Sequence, residues 1–203
     1  MENSKSNKEK NQFLENYVGR YFSQFFYSVT ALDVGSGPSS HDNRRLFRSS
    51  FVIGTDVQAW PNVDLICSAR NLAFRDGFFD TIVSTDWFNY DPDWQLSMLN
   101  VFRMLKKGGM FAFTCRQHDG IAAGDFQKFL FTHNLDRQLA AYACYVDTIN
   151  DDLCFVGFKR TESPATDNHI IMPSYVGLGV TRYPRCRVEC QPIHDNHVVH
   201  VVD

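Results

Sequence analysis

The feature that most constrains this fold is a change of hydrophobic period near Val29. Before it, Asn11–Phe26 carries Leu14, Tyr17, Val18, Tyr21, Phe22 and Phe25 at the spacing of one apolar helical face. After it, Val29–Val34 is a short apolar run that stops abruptly at Gly35-Ser36-Gly37-Pro38. Such a run reads as a strand buried on both sides and ended by a sharp turn. The same kind of run recurs at Phe51–Asp56, Val63–Cys67, Phe79–Ser84 and Met110–Cys115. Between these runs lie a modest helix candidate at Ser40–Ser49 and a stronger one at Asp93–Lys107. The second has Trp94, Leu96, Leu99, Phe102 and Leu105 at helical spacing, with Gly108-Gly109 placed to close it as a C-cap. Short buried strands alternating with helices predict an α/β chain with a mainly parallel sheet and helices on both faces.

Past Gly120 the pattern differs. Phe126–Phe131 suits a helix. Ala140–Val146 and Leu153–Lys159 are two β-like runs joined by the turn formers of 147–152, which predicts a terminal antiparallel hairpin. From Thr161 a linker-like stretch leads into a short β-rich C-terminal tail with β-like segments at 170–172, 175–180 and 198–202. The expected organisation is a flexible terminus over 1–10, one domain over 11–160, and a linker with the tail over 161–203.

Composition enters here to exclude classes. Twenty basic and 23 acidic residues leave a net charge of -3, so no global field draws the chain to a phosphate backbone, and nucleic acid is not favoured as a partner. No apolar run is long enough to span a bilayer, and the polar stretch 1–11 lacks the apolar core of a secretory signal, so the expectation is a cytoplasmic protein without membrane attachment. Cys67, Cys115, Cys144 and Cys154 sit in apolar, strand-like surroundings and are expected as reduced thiols.

Two features carry the first chemistry. Gly35 and Gly37 let the backbone turn tightly and let a ligand approach the main chain, and amides at the start of a following helix can bind a polar group. Alone, the same residues equally describe a plain tight turn. Asp56 closes the second strand run, 19 residues after Gly37. An acid at that place and spacing suits the two hydroxyls of a ribose, because the ligand crevice of an open α/β sheet lies at the carboxyl ends of its strands.

Four motifs in order resemble one family. Leu32-Asp33-Val34-Gly35-Ser36-Gly37-Pro38, the Phe74-to-Ser84 stretch with Asp76-Gly77-Phe78-Phe79-Asp80, the Phe102-to-Met110 stretch with Leu105-Lys106-Lys107-Gly108-Gly109, and the closing strand at 153–158 resemble class I S-adenosylmethionine-dependent methyltransferases, especially the type 11 group. Lys107 stands where that family usually has proline. The resemblance covers roughly 29–159 and implies a Rossmann-like sheet whose last strand is inserted antiparallel. It implies S-adenosylmethionine as cofactor. Asp33 and the amides of Gly35, Ser36 and Gly37 would hold its methionine part, Asp56 its ribose, and Val57 its adenine. Ser68 and Ala69 would approach the adenine ring, with Ser68 where the family commonly has an acid. Ser84 and Thr85 would line the passage toward the acceptor.

Methyl transfer needs a general base only when the acceptor must lose a proton. By position the candidates are Asp86, Tyr90 and His118, each equally readable as a loop residue. The stretch Arg116–Leu139, where the family often inserts an acceptor-shaping segment, is short. The acceptor pocket is therefore open, completed by a protein partner or second copy, or absent. A small molecule or glycan is the favoured acceptor. A non-catalytic scaffold of the same fold is the alternative, and a NAD-dependent oxidoreductase is disfavoured because Ser40 takes the third glycine's place in G-x-G-x-x-G. In the tail, Cys186, Cys190, His194 and His197 offer zinc-type ligands, but their spacings are not those of the common fingers and Val198–Val202 reads as an ordinary strand, so no metal is expected.

Overall fold

The computed structural model describes residues 13–38, 42–117, 121–146, 151–161, 172–173, 187–191 and 198–202. Seven strands form the main sheet: β1 (Thr30–Val34), β2 (Phe51–Asp56), β3 (Leu65–Ile66), β4 (Phe79–Thr85), β5 (Leu105–Arg116), β6 (Leu139–Val146) and β7 (Asp152–Lys159). Their order is β3-β2-β1-β4-β5-β7-β6. The first five run parallel, and β7 is inserted antiparallel between β5 and β6. The Rossmann-like sheet and the terminal antiparallel hairpin are therefore as expected. In the tail, β8 (Met172–Pro173), β9 (Arg187–Gln191) and β10 (Val198–Val202) form a small antiparallel sheet in the order β8-β10-β9. The expected terminus at 1–10, the linker at 162–168 and the β-like run at 175–180 lie outside the described residues.

The sheet is buried on both faces, which is why its strands are continuous apolar runs and do not alternate with polar residues. Along β5, Phe111, Phe113 and Cys115 enter one core, while Met110 and Ala112 enter the other. Phe113 lies directly opposite Phe155 of β7, with ring centroids 5.4 Å apart. Phe88 and Phe126 close on the same pair edge-on. Each such ring contributes about 1.5–3 kcal/mol through burial alone. The helices Trp94–Met104 and Ala123–Thr132 cover this face through Met98, Val101, Phe102, Phe126 and Phe129. The opposite face is covered by the N-terminal helical segment, whose Leu14, Tyr17, Val18, Phe22 and Phe26 meet Met110, Ala112, Val156 and Phe158.

Several local expectations are corrected. The N-terminal helix is three short pieces, a wide turn at Phe13–Val18, one α turn at Gly19–Tyr21 and a 3-10 turn at Ser23–Phe26. The described part of Ser40–Ser49 holds a single 3-10 turn, Arg44–Leu46, because the backbone and side-chain amides of Asn43 are tied to Asp33 and the chain leaves extended at Phe47. The third strand shrinks to Leu65–Ile66. The link from β2 contains Pro61 and forms no helix, so the chain never returns to the far end of the sheet and pairs only Thr55 with Leu65 and Asp56 with Ile66.

Gly108-Gly109 do not cap the helix, which ends at Met104. Leu105 already pairs with Phe79, and the ladder resumes at Thr81 with Met110, so the glycines sit in a bulge of β5. A Cβ on Gly109 would fall 2.8 Å from the Asp80 carbonyl oxygen. Gly124, in the Ala123–Thr132 helix, has nothing within 4 Å of that position. Gly109→Ala is expected to cost about 2 kcal/mol or more through this backbone clash. Gly124→Ala is expected to be neutral or to stabilise by up to about 1 kcal/mol. Urea unfolding of the two variants checks the contrast, and equal effects would refute the bulge.

Candidate functional site at the carboxyl ends of the strands

In the order β3-β2-β1-β4-β5 the connections reverse direction between β1 and β4, and ligands of open α/β sheets bind in the crevice at that switch. The Gly-rich turn leaves β1 there. Its first two amides are not free: those of Gly35 and Ser36 both donate to the Thr55 carbonyl, at 2.8 and 3.0 Å. Asp33 is fully buried beneath the turn. One of its carboxylate oxygens accepts the Ser36 hydroxyl at 2.9 Å and the Asn43 backbone amide at 3.1 Å, and the other accepts the Asn43 side-chain amide at 2.8 Å. Asn43 Oδ1 in turn accepts the Thr85 hydroxyl at 3.1 Å, which ties β1 to the end of β4. The sequence gives no sign of Asn43: it lies in a segment that reads as helix, and no motif marks it.

Asp56 meets the turn from the β2 side. Its carboxylate accepts the Gly37 amide at 3.2 Å and the Gln58 amide at 2.9 Å, one on each oxygen. The spacing of 19 residues thus corresponds to a direct bond across the crevice. Ionised carboxylate oxygens carry further lone pairs, so this group can still accept a pair of hydroxyls. Val57 beside it is 54% exposed and offers apolar surface. The Cys67 amide bonds the Asp56 carbonyl at 2.8 Å, which brings the half-buried Ser68 and the buried Ala69 to the same rim. Asn100 of the Trp94–Met104 helix fastens that rim by donating to the carbonyls of Ala69 and Leu72 at 2.8 and 2.9 Å.

At the end of β4 the side chains of Ser84 and Thr85 are buried in the packed layers, and Thr85 is spent on Asn43. Asp86 is buried, in a left-handed backbone conformation with φ 56°. Trp87 follows and presses on the Gly-rich turn: a Cβ placed on Gly35 would lie 2.2 Å from the Trp87 side chain. Asn89 accepts the Cys115 thiol at 2.7 Å and the Arg116 amide at 2.8 Å. Tyr90 is 70% exposed, and its hydroxyl oxygen accepts from Arg116 Nη2 at 2.6 Å. Asn89 Nδ2, Asp91 Oδ2 and Ser84 Oγ are buried without a hydrogen-bond partner among the described residues.

His118 lies outside the described residues, as do Cys186, His194 and His197, while Cys190 is described only as a backbone position in β9. Among the described residues no three His, Cys, Asp or Glu side chains come together as a metal site. Cys67, Cys115 and Cys144 are free thiols, and burial pushes Cys115 and Cys144 up to about 12.

The donors and acceptors therefore fit the nucleoside half of an adenosyl cofactor, since Asp56 keeps lone pairs for a pair of hydroxyls. The space beside Gly35, where the other half would approach the main chain, is filled by the Trp87 indole.

Burial raises Asp33 from 3.8 to about 6, against the lowering effect of the Asn43 and Ser36 hydrogen bonds. A carboxyl raised on folding binds more protons folded than unfolded between those values, so stability from this group is full below pH 3.8 and lost as pH rises through about 6. The expected loss is about 3 kcal/mol. Asp33→Asn should remove that downward slope, as measured by urea unfolding across the interval; identical slopes in the two proteins would refute the assignment.

Residues 15–113 match the family of methyltransferase domains. No curated protein sequence matches the chain. In structure it is similar to an S-adenosylmethionine-dependent methyltransferase from Thermotoga maritima, at TM-score 0.54 and 12% identity over 76% of this chain and 96% of that one. It is similar to the complex of the Haloferax volcanii Trm112 methyltransferase activator with a methyltransferase, at TM-score 0.51 and 14% identity over 77% of this chain and 96% of that one. It is also similar to the Burkholderia thailandensis 1,6-didemethyltoxoflavin-N1-methyltransferase bound to its substrate and S-adenosylhomocysteine, at TM-score 0.52 and 12% identity over 70% and 76% of the two chains. The segment 15–113 thus matches the methyltransferase domain family, and the sheet order is that of the Rossmann-like fold of these structural neighbours.

Proposed function

We propose that the protein binds S-adenosylmethionine and transfers its methyl group to a small molecule or glycan. The observation that carries this reading is the Asp56 carboxylate, bonded to the Gly37 amide across the mouth of the β1–β2 crevice. The bound cofactor would supply an electrophilic methyl on a sulfonium, so the protein's work is mainly to position an acceptor. Asp56 would hold the ribose hydroxyls and Val57 would pack on the adenine, with Ser68 and Ala69 at its edge. The Gly35–Gly37 backbone would bound the methionine half, and Asp33 would act through the turn by holding Ser36 and Asn43 in place. Ser84 and Thr85 would contribute through the position of β4. If the acceptor needs deprotonation, exposed Tyr90, with its hydroxyl oriented by Arg116, is better placed to meet it than buried Asp86.

Among the described residues, 116–139 adds only the helices Ala123–Thr132 and Leu135–Gln138, and no further cap over the crevice. The acceptor face is then open, and a protein partner or second copy would complete it; the Haloferax neighbour is a methyltransferase in complex with an activator protein. We assign the domain to 11–160 and the tail of 161–203 to an appended unit. No described helix is long and apolar enough to cross a membrane. The free thiols suit a reducing cytoplasm.

One observation favours a second reading. The Trp87 indole against Gly35 suits a non-catalytic domain that keeps the fold without the full cofactor. Calorimetric titration with S-adenosylhomocysteine, S-adenosylmethionine and NAD separates the classes. The expected outcome is binding of the adenosyl ligands and none of NAD, with Asp56→Ala weakening binding by about tenfold to a hundredfold, the worth of charged hydrogen bonds. Absence of adenosyl binding at millimolar ligand, with the fold intact by circular dichroism, would overturn the leading reading.

A further inference from the structure

Trp87 occupies a special place relative to the Gly-rich turn. Gly35 has φ 74°, and its missing side chain is filled by the Cβ, Cγ and Cδ1 atoms of Trp87, all 2.2 Å from where a Cβ would stand. The glycine is thus committed to an indole of the same chain. The indole is only partly buried; it packs edge-on against Phe88 at 5.2 Å and borders the core beneath the helices. The residue before it, Asp86, holds φ 56°, a strained conformation for a residue with a side chain. The 3-10 turn Trp87–Tyr90 that follows carries Asn89, whose side-chain nitrogen is buried without a hydrogen-bond partner among the described residues, and leads to Asp91, one of whose carboxylate oxygens is in the same state. Buried polar groups left in this way cost free energy and favour a second arrangement that satisfies them. On the far side of the turn stand the Asp56 carboxylate, bonded to the Gly37 amide, and Val57, 54% exposed.

Resting on the cofactor reading above, we propose that Trp87 plugs the methionine half of the crevice, so that the protein in this conformation takes a nucleoside, and takes the whole cofactor only when the Trp87–Tyr90 turn swings away about Asp86. Two halves of one ligand then respond differently to one residue. The adenosine half depends on Asp56 and is indifferent to Trp87. The amino-acid half competes with the indole, so part of its binding energy is used to displace it.

The test titrates adenosine and S-adenosylhomocysteine into the wild type and Trp87→Ala. Adenosine should bind both proteins within about twofold, while S-adenosylhomocysteine should bind Trp87→Ala at least about tenfold more tightly than the wild type. In a Trp60→Phe, Trp94→Phe background, the remaining Trp87 fluorescence should shift on adding S-adenosylhomocysteine and not on adding adenosine. Equal or weaker S-adenosylhomocysteine binding by Trp87→Ala, with adenosine binding retained, would overturn the plug and leave the cofactor reading standing. Failure of both ligands to bind the wild type and the variant would overturn both. Should Trp87→Ala unfold, Trp87→Phe, which keeps a smaller ring on Phe88, gives the same comparison with a smaller gain, and the fluorescence shift decides independently.

Discussion

The site depends on one buried carboxylate. Asp33 sits under the turn with three hydrogen bonds to two partners, Ser36 and Asn43. Burying a charge is expensive unless it is fully bonded, and here the bonds offset the burial only in part, so the group is held at about 6. What the protein gains is geometry. Ser36 fixes the turn, and Asn43 carries the connection onward to Thr85, so the ends of β1 and β4 are tied together.

Around it the sheet is a rigid platform because both faces are packed. Phe111, Phe113 and Phe155 interlock with Phe88 and Phe126 on one side, and the N-terminal aromatics seal the other. The outer edge is different. Without a helix between β2 and β3, Leu65 and Ile66 remain exposed beside Val57. The rim that would face adenine is therefore held by point contacts, Asn62 to the Ser36 carbonyl at 2.7 Å and Asn100 to Ala69. Apolar packing holds the platform, and hydrogen bonds position the rim, which lets rim segments shift without loosening the core.

The contrast between the two sides of the Gly-rich turn shapes the functional reading. On the β2 side Asp56 closes the crevice, its carboxylate bonded to the Gly37 and Gln58 amides. On the β4 side the turn is occupied by an aromatic ring from its own chain, next to a left-handed Asp86. The two halves of the crevice thus differ in what meets the turn: a carboxylate on one side and an indole on the other.

The parallel strands, the antiparallel hairpin and the helix at 94–104 were legible in the linear pattern, because strands buried on both faces must be apolar runs and one-sided helices must repeat near 3.6 residues. Asp33, Gly35, Gly37 and Asp56 were legible for a related reason: tight turns and acids at strand ends are local chemistry. Asn43 and Trp87 were not. Asn43 matters only because a chain reversal brings it onto Asp33, and Trp87 only because parallel pairing sets the end of β4 beside the end of β1. Gly108-Gly109 have the local pattern of a helix cap, but the pairing of Leu105 with Phe79 puts them in a strand bulge. Local sequence thus determined which segments could be strands, helices and turns, since those depend on period and backbone freedom. Tertiary structure alone decided which side chains meet across the crevice, since that depends on contacts between residues far apart in the chain.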